Sequence, residues 1–419
     1  MPVVFKAADV SVVRSQLQRV VFKQAVTQIQ NPYSKKVFEQ LTHCHTAQCG
    51  MHTQRCSNSN CMEQQYQYHN CGNRHCPSCG GMKKEQWLED KTAELLPTAY
   101  YHVVFTLPHE FNSLIMGNRK ELFKLLFDAS SYTLLILAKD AHWLGATPGI
   151  ISILHTWGQQ LSFHPHIHCI ISGGGMAGNQ WVKEKRKNNT YLFPQKAMQK
   201  IYKAYFLKQL RLLMANGSLQ IADAASVERS IQQAGYKSWN VYAKKPFGDP
   251  LQVLNYLGRY THKVAITAHR IESIDEVQQT IRFKYKDYHA RGTKKEQQVM
   301  VLKIPEFIRR YEQHILPKGF VKIRHYGYLK NYKRNERLRE LFAMMQLPAP
   351  PPKVQVPVKA RMLEKHGVDI GLCPVCKRGS METVATYYKG VLCKPTRAKP
   401  MKPIIYNPDR GSPTVIKIQ

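Results

Sequence analysis

Apolar residues recur every three to four positions over 10–30 (VSVVRSQLQRVVFKQAVTQIQ), which predicts an amphipathic helix. A second helix is predicted from about residue 83 to 96, stopped by Pro97. Residues 101–107 (YHVVFTL) read as a buried strand closed by Pro108. A long helix over 119–138 follows, and then two short apolar runs, 150–154 and 167–171, read as further strands. Residues 195–214 (QKAMQKIYKAYFLKQLRLLM) form a basic amphipathic helix. Another helix covers 250–262, with Asp249 as its cap and Pro250 in its first turn. Runs at 264–267 and 280–285 bring the strands to roughly five, interleaved with helices.

This alternation predicts an α+β domain over 97–346. Residues 1–40 form a helical segment before it, and 41–96 a compact cysteine-rich module. After it, 347–358 (LPAPPPKVQVPV) reads as a stiff linker into a basic, partly disordered tail that ends at 419.

Charge narrows the function. The chain of 419 residues carries 61 Lys and Arg against 28 Asp and Glu, a formal +33. Such an excess repels itself unless a polyanion offsets it, and nucleic acid is the usual polyanion. A membrane is a poor alternative, because the best apolar run, 122–137, is interrupted by Lys124 and Asp128. The N-terminal stretch MPVVFKAADV lacks the pattern of a secretory signal. The expected location is therefore the cytoplasm, where 11 cysteines favour metals over disulfides.

Seven of those cysteines lie within 43–79: Cys44, Cys49, Cys56, Cys61, Cys71, Cys76 and Cys79. Cys56 with Cys61 and Cys76 with Cys79 form two knuckle-like pairs, and a hairpin bringing the pairs together presents four thiolates to structural Zn2+. Cys44, Cys71 and a histidine, His52 or His75, are left for a second site. The tail adds Cys373, Cys376 and Cys393, either with His366 as a fourth ligand or with no metal at all.

The segment His164-Pro-His166-Ile-His168-Cys169-Ile-Ile-Ser172 is the most informative. Side chains alternate on a strand, so His166 and His168 share one face while Ile167, Cys169 and Ile171 enter the core. Two imidazoles on one face supply two legs of a divalent-metal site, and the glycines at 173–175 are expected to end the strand. The third ligand stays open among His164, Gln159 and Gln252.

On the helix at 250–262, Tyr256 and Tyr260 lie one turn apart at the margin of an apolar arc. By spacing alone they pass for core aromatics. Beside a metal that polarises a phosphate they become nucleophiles, since a phenol with pKa near 10 needs such help. Residues 318–339 interleave cations, among them Lys322, Arg324, Lys330, Lys333 and Arg334, with Tyr326, Tyr328 and Tyr332. That mixture suits a groove for single-stranded DNA, although a solvated basic helix has the same composition.

Together these segments resemble the HUH-type, double-tyrosine rolling-circle transposases of bacterial insertion sequences, the insertion sequence ninety-one group. The resemblance is carried by Cys71-Gly-Asn-Arg-His75-Cys76-Pro-Ser-Cys79, His102-Val-Val-Phe-Thr-Leu-Pro-His109, His155-Thr-Trp157-Gly-Gln159 and the histidine strand. Further on it continues in Tyr256-Leu-Gly-Arg-Tyr260 and in 318–327. It implies an HUH endonuclease-like antiparallel sheet flanked by helices, with the histidines on a central strand and the tyrosines on a facing helix. It also implies Mg2+ or Mn2+ at His166 and His168, and cleavage of single-stranded DNA or hairpins at element ends through a 5′-phosphotyrosine. The host replication machinery is the implied partner. A relaxase or plasmid replication initiator shares this chemistry and is the alternative reading.

Overall fold

The computed structural model describes residues 10–185, 192–244, 252–253, 258, 264–286, 297–350, 356–389 and 391–393. The strands are β1 Met51–Cys56, β2 Gln64–Tyr68, β3 Tyr100–Thr106, β4 Thr147–Trp157, β5 Phe163–Ala177, β6 Gln180–Lys183 and β7 Val241–Lys244. Then come β8 Ile271–Asp275, β9 Thr280–Lys286, β10 Gln297–Lys303, β11 Ile323–Gly327, β12 Met381–Tyr388 and β13 Val391–Cys393. The chain divides into two compact units.

One unit, Trp87–Thr261 with Gln313–Pro351, is built on an antiparallel sheet of order β11-β4-β5-β3-β7, with β6 paired to β5. β5 is its middle strand, and alternation gives it two chemically different faces. Ile167, Cys169 and Ile171 are buried in a core with Val103, Phe105, Ile150 and Leu154, under the helices Arg119–Lys139 and Gln195–Ala215. Phe105, Phe123, Phe127 and Phe206 are all at most 1% exposed, so each contributes about 1.5–3 kcal/mol by burial. The other face carries His166, His168 and Ile170, opposite the register partners His155, Ile153 and Ile151 on β4. β5 does not stop at its three glycines but runs through them to Ala177. A Cβ at Gly174 would strike the Trp181 ring and one at Gly175 the Thr147 carbonyl, so close packing rather than a turn requires glycine there.

The other unit is Met1–Gln86, His262–Glu312 and Pro352–Gln419. Its first helix runs Val10–Gln16 and Lys23–Gln28 through a π-helical stretch, Leu17–Phe22. Helix Pro32–Thr42 follows, capped by Asn31, whose side-chain oxygen accepts from the backbone N–H of Tyr33 and Ser34 at 3.0 Å. Phe22, Phe38, Phe307 and Tyr311 pack as tilted rings at centroid separations of 5.7–5.9 Å. A sheet of order β13-β12-β1-β2 holds the cysteine module, and β8, β9 and β10 form a separate meander followed by helix Ile304–Glu312.

Three expectations change. Residues 264–267 are not a strand; the chain bends there and enters β8 only at Ile271. The span 262–312 clusters with the cysteine module rather than with the histidine sheet. The tail is folded at least as far as Cys393, with a helix Val358–His366 and strands β12 and β13. Of the helix expected over 250–262, only Gln252, Val253 and Gly258 are described, all helical, and Tyr256 and Tyr260 lie outside the described residues.

Candidate metal centres

On the polar face of the sheet, His155, His166 and His168 bring one ring nitrogen each within 4.8 Å of one another. Backbone register dictates this, because His155 is the direct cross-strand partner of His166 and His168 sits two residues on. Two further contacts orient the rings. His166 Nδ1 lies 2.7 Å from the carbonyl oxygen of His164, so Nδ1–H donates and Nε2 keeps its lone pair. His102, on the neighbouring strand β3, places Nε2 2.9 Å from His168 Nδ1, with the two rings stacked at 5.1 Å. Ligation through His168 Nε2 makes Nδ1–H the donor to His102, which fixes both tautomers.

Burial also sets the charge state. It pushes the pKa of His102 down to about 3 and that of His166 to about 4, and it holds His168 well below the usual range. All three are neutral at pH 7, the form a cation requires. Three converging imidazoles, with the tautomers of His166 and His168 set by these contacts, fit a divalent metal ion with coordination positions left open.

His155 supplies the third position, which the sequence reading sought elsewhere. His164 is exposed, and its carbonyl rather than its ring contacts His166. Gln159 sits in the turn after β4, and Gln252 is exposed. The missed signal is the length of β4: carrying its alternation from Ile151 and Ile153 two residues further puts His155 on the same face.

The cysteines form two clusters, and neither is the expected one. Cys44, Cys71, Cys76 and Cys79 make the first, and Cys56, Cys61, Cys373 and Cys376 the second. The β1–β2 hairpin explains why the two knuckle pairs part. Cys56 and Cys61 lie at its turn, whereas β2 returns the chain to the other end, where His69 N–H donates to the Gly50 carbonyl at 2.8 Å. Five extended residues put roughly 17 Å between those ends. In the first cluster Cys44 Sγ is 3.5 Å from Cys79 Sγ and 3.6 Å from Cys76 Sγ, and Cys71 is 3.8 Å from Cys79. A tetrahedron with zinc–sulfur bonds of about 2.3 Å has edges of about 3.8 Å, so the thiols fit structural zinc. Hydrogen bonds from the Cys71, Cys76 and Cys79 thiols hold the Cys44 thiol far below its ordinary value. Neither histidine joins in: His52 Nδ1 meets His69 Nε2 at 3.1 Å, and His75 is buried with its carbonyl accepting from the Tyr311 hydroxyl.

The basic segment separates into different roles. Lys322 lies 4.8 Å from the Trp157 ring. Arg324 pairs in register with Ser152, on the sheet face away from the histidines, and stacks on Phe127 at 4.3 Å. There it lines a groove of about 500 Å³ with Lys120, Lys124, Lys318 and Tyr326. Lys330 and Lys333 are exposed. Arg334 is instead bound to buried Glu94 at 2.6 Å, a structural ion pair that Lys91 extends at 2.6 Å. Tyr328 is core, while Tyr332 is exposed. No described helix is long and apolar enough to cross a membrane.

Residues 149–337, which include β5, β11 and all but the first two residues of β4, match a family described as "Putative transposase". Residues 14–107 match one described as "Transposase zinc-binding domain". The chain is 36% identical over 365 residues to the "Putative transposase y4qJ" of Sinorhizobium fredii, a span covering 84% of this chain and 89% of that relative. It is 29% identical over 350 residues to the "Transposase for insertion sequence element IS801" of Pseudomonas savastanoi pv. phaseolicola, covering 82% and 81%. No solved structure matches.

Proposed function

The chain belongs to the insertion sequence ninety-one family of transposases, and from this we propose that it cuts and rejoins single-stranded DNA at the ends of an insertion sequence, driving rolling-circle transposition. In this reading Tyr256 and Tyr260 are the nucleophiles, and His155, His166 and His168 hold Mg2+ or Mn2+. One observation carries it: the three imidazoles converge on the sheet's polar face with His102 behind them.

A divalent ion held by His155, His166 and His168 would supply Lewis-acid stabilisation of charge on the scissile phosphate. The phenol oxygen of one tyrosine attacks phosphorus in line and gives its proton to solvent. The bond from phosphorus to the 3′ oxygen breaks, and that oxygen leaves with a proton as a 3′-hydroxyl. The 5′-phosphotyrosine conserves the ester, so a 3′-hydroxyl from another end can displace the tyrosine and rejoin the strand. A second tyrosine lets one end be held while another is cut. Val253 supports a helix on the histidine face, since it is helical and buried in a cluster with Ile151, Ile153 and Ile170. Lys322, beside Trp157, supplies a cation for the DNA backbone. The substrate in this reading is a single-stranded or hairpin end, resynthesis falls to the host replication machinery, and the setting is the bacterial cytoplasm at the nucleoid.

The test is a labelled single-stranded end oligonucleotide incubated with Mg2+ or Mn2+ and resolved under denaturing conditions. A covalent adduct is expected that chelator prevents and that His155→Ala loses while still shifting DNA on a native gel. No adduct under any divalent metal sinks the reading.

A further inference from the structure

The zinc-binding match ends at residue 107, and within it Cys44, Cys71, Cys76 and Cys79 already complete one tetrahedral set. Cys56 and Cys61 are left there with half a site. We propose that Cys373 and Cys376 supply the other half, so that Cys56, Cys61, Cys373 and Cys376 bind a second structural zinc ion that fastens the tail of the chain into the N-terminal sheet.

The geometry is that of a built site. All four Sγ atoms lie within 4.8 Å of one another, with Cys56 3.6 Å from Cys376 and Cys61 3.7 Å from Cys373. These match the edges of about 3.8 Å that tetrahedral zinc–sulfur coordination demands, and they are far from the 2.05 Å of a disulfide. Backbone amides point at the sulfurs as a thiolate needs: Asn58 N–H donates to Cys56 Sγ at 3.4 Å and Gly379 N–H to Cys376 Sγ at 3.3 Å. A side chain at Gly379 would run into Cys56 Sγ, so the two knuckles close on each other with no space to spare.

The surrounding backbone brings the two halves together independently of the thiols. β1 pairs with β12 from Met51↔Tyr387 to Cys56↔Met381, and the ladder delivers Cys56 beside the tail knuckle. Past the strand ends, Ser57 N–H donates to the Ser380 carbonyl at 2.8 Å, and Ser380 N–H donates to Ser57 Oγ at 2.9 Å. Cys373 N–H closes the tail knuckle on the Gly379 carbonyl at 2.8 Å. The chain thus leaves this sheet after β2, builds the histidine unit, and returns to the same sheet with the missing ligands.

Native mass spectrometry of the full-length protein, purified without chelator, counts the ions directly. Two zinc ions per chain are expected, falling to one when Cys373→Ser and Cys376→Ser are combined. Cys376→His is expected to restore two, because imidazole can replace one thiolate. A wild-type chain that saturates at one zinc, or a double serine variant that keeps two, overturns the proposal. If the double variant is insoluble, cobalt(II) titration of the metal-free wild type decides. Tetrathiolate absorption rising to two equivalents supports the second site, and a plateau at one equivalent refutes it.

Discussion

His102 makes no direct claim on substrate, yet the arrangement assigns it a measurable part in metal binding. It is 1% exposed, and its Nε2 accepts from His168 Nδ1 at 2.9 Å while the rings stack at 5.1 Å. His102→Phe keeps a planar ring in the stack and deletes the acceptor. Loss of such an orienting partner typically weakens a metal site 10–100-fold, or about 1.4–2.7 kcal/mol. The assay is the Mn2+ concentration giving half-maximal nicking of a labelled strand, with isothermal titration of Mn2+ alongside. That concentration should rise 10–100-fold, while nicking at saturating metal and the native gel shift stay near wild type. An unchanged Mn2+ requirement would refute the orienting role. Equal loss of DNA binding and metal binding would make His102 a folding residue instead.

Tyr256→Phe and Tyr260→Phe should each lower covalent adduct yield and together abolish it; full yield from the double variant on a denaturing gel removes both from the chemistry. His314 is buried between Thr156 Oγ1 and the Leu161 carbonyl, both at 3.2 Å, and burial pushes its pKa down to about 4. Its folded pKa lies below the unfolded 6.5, so its stability contribution is complete above pH 6.5 and is lost as pH falls towards 4, about 3 kcal/mol in all. Denaturant midpoints across that window should fall steeply for wild type and less steeply for His314→Gln. Arg334→Ala should cost about 1.5–3 kcal/mol in thermal or urea unfolding, because it removes one of the two cations on the buried Glu94 carboxylate and leaves Lys91 as its ion-pair partner. Its DNA affinity at permissive temperature should change less than that of Lys322→Ala, measured by salt-dependent gel shift.

Local pattern carried the sequence reading a long way, and its failures share one cause. The helix over 119–138 and the strand over 101–107 announce themselves in consecutive residues, and each emerges within a residue or so of its expected bounds. His166 and His168 are readable for the same reason, since a two-residue spacing on a strand is itself geometry. His155 is not, because its nearness to His166 exists only once β4 and β5 pair across a turn. The glycines at 173–175 misled for a related reason: glycine ordinarily marks a turn, and what requires it inside this strand is packing against Glu184, Trp181 and Thr147, which strand pairing brings alongside. The cysteines are the extreme case. Cys56 and Cys61 looked paired with Cys76 and Cys79 because these are near in sequence, yet the sulfurs they meet belong to Cys373 and Cys376. Composition likewise placed Arg334 among the DNA-binding cations, whereas its nearest charge is a buried carboxylate.

The pairing of β1 with β12 has a consequence for biosynthesis. Cys56 and Cys376 are 320 residues apart, and at roughly 5–20 residues per second a ribosome needs on the order of a quarter of a minute to a minute to cover that distance. Throughout that interval the β1 edge that β12 will occupy has no partner strand, while the histidine unit is already being extruded. A nascent chain halted by a premature stop or a frameshift inside the histidine unit would therefore have a first sheet that never closes. Such a product is unfinished protein and a target for quality control, so a gene broken downstream yields no stable partial chain.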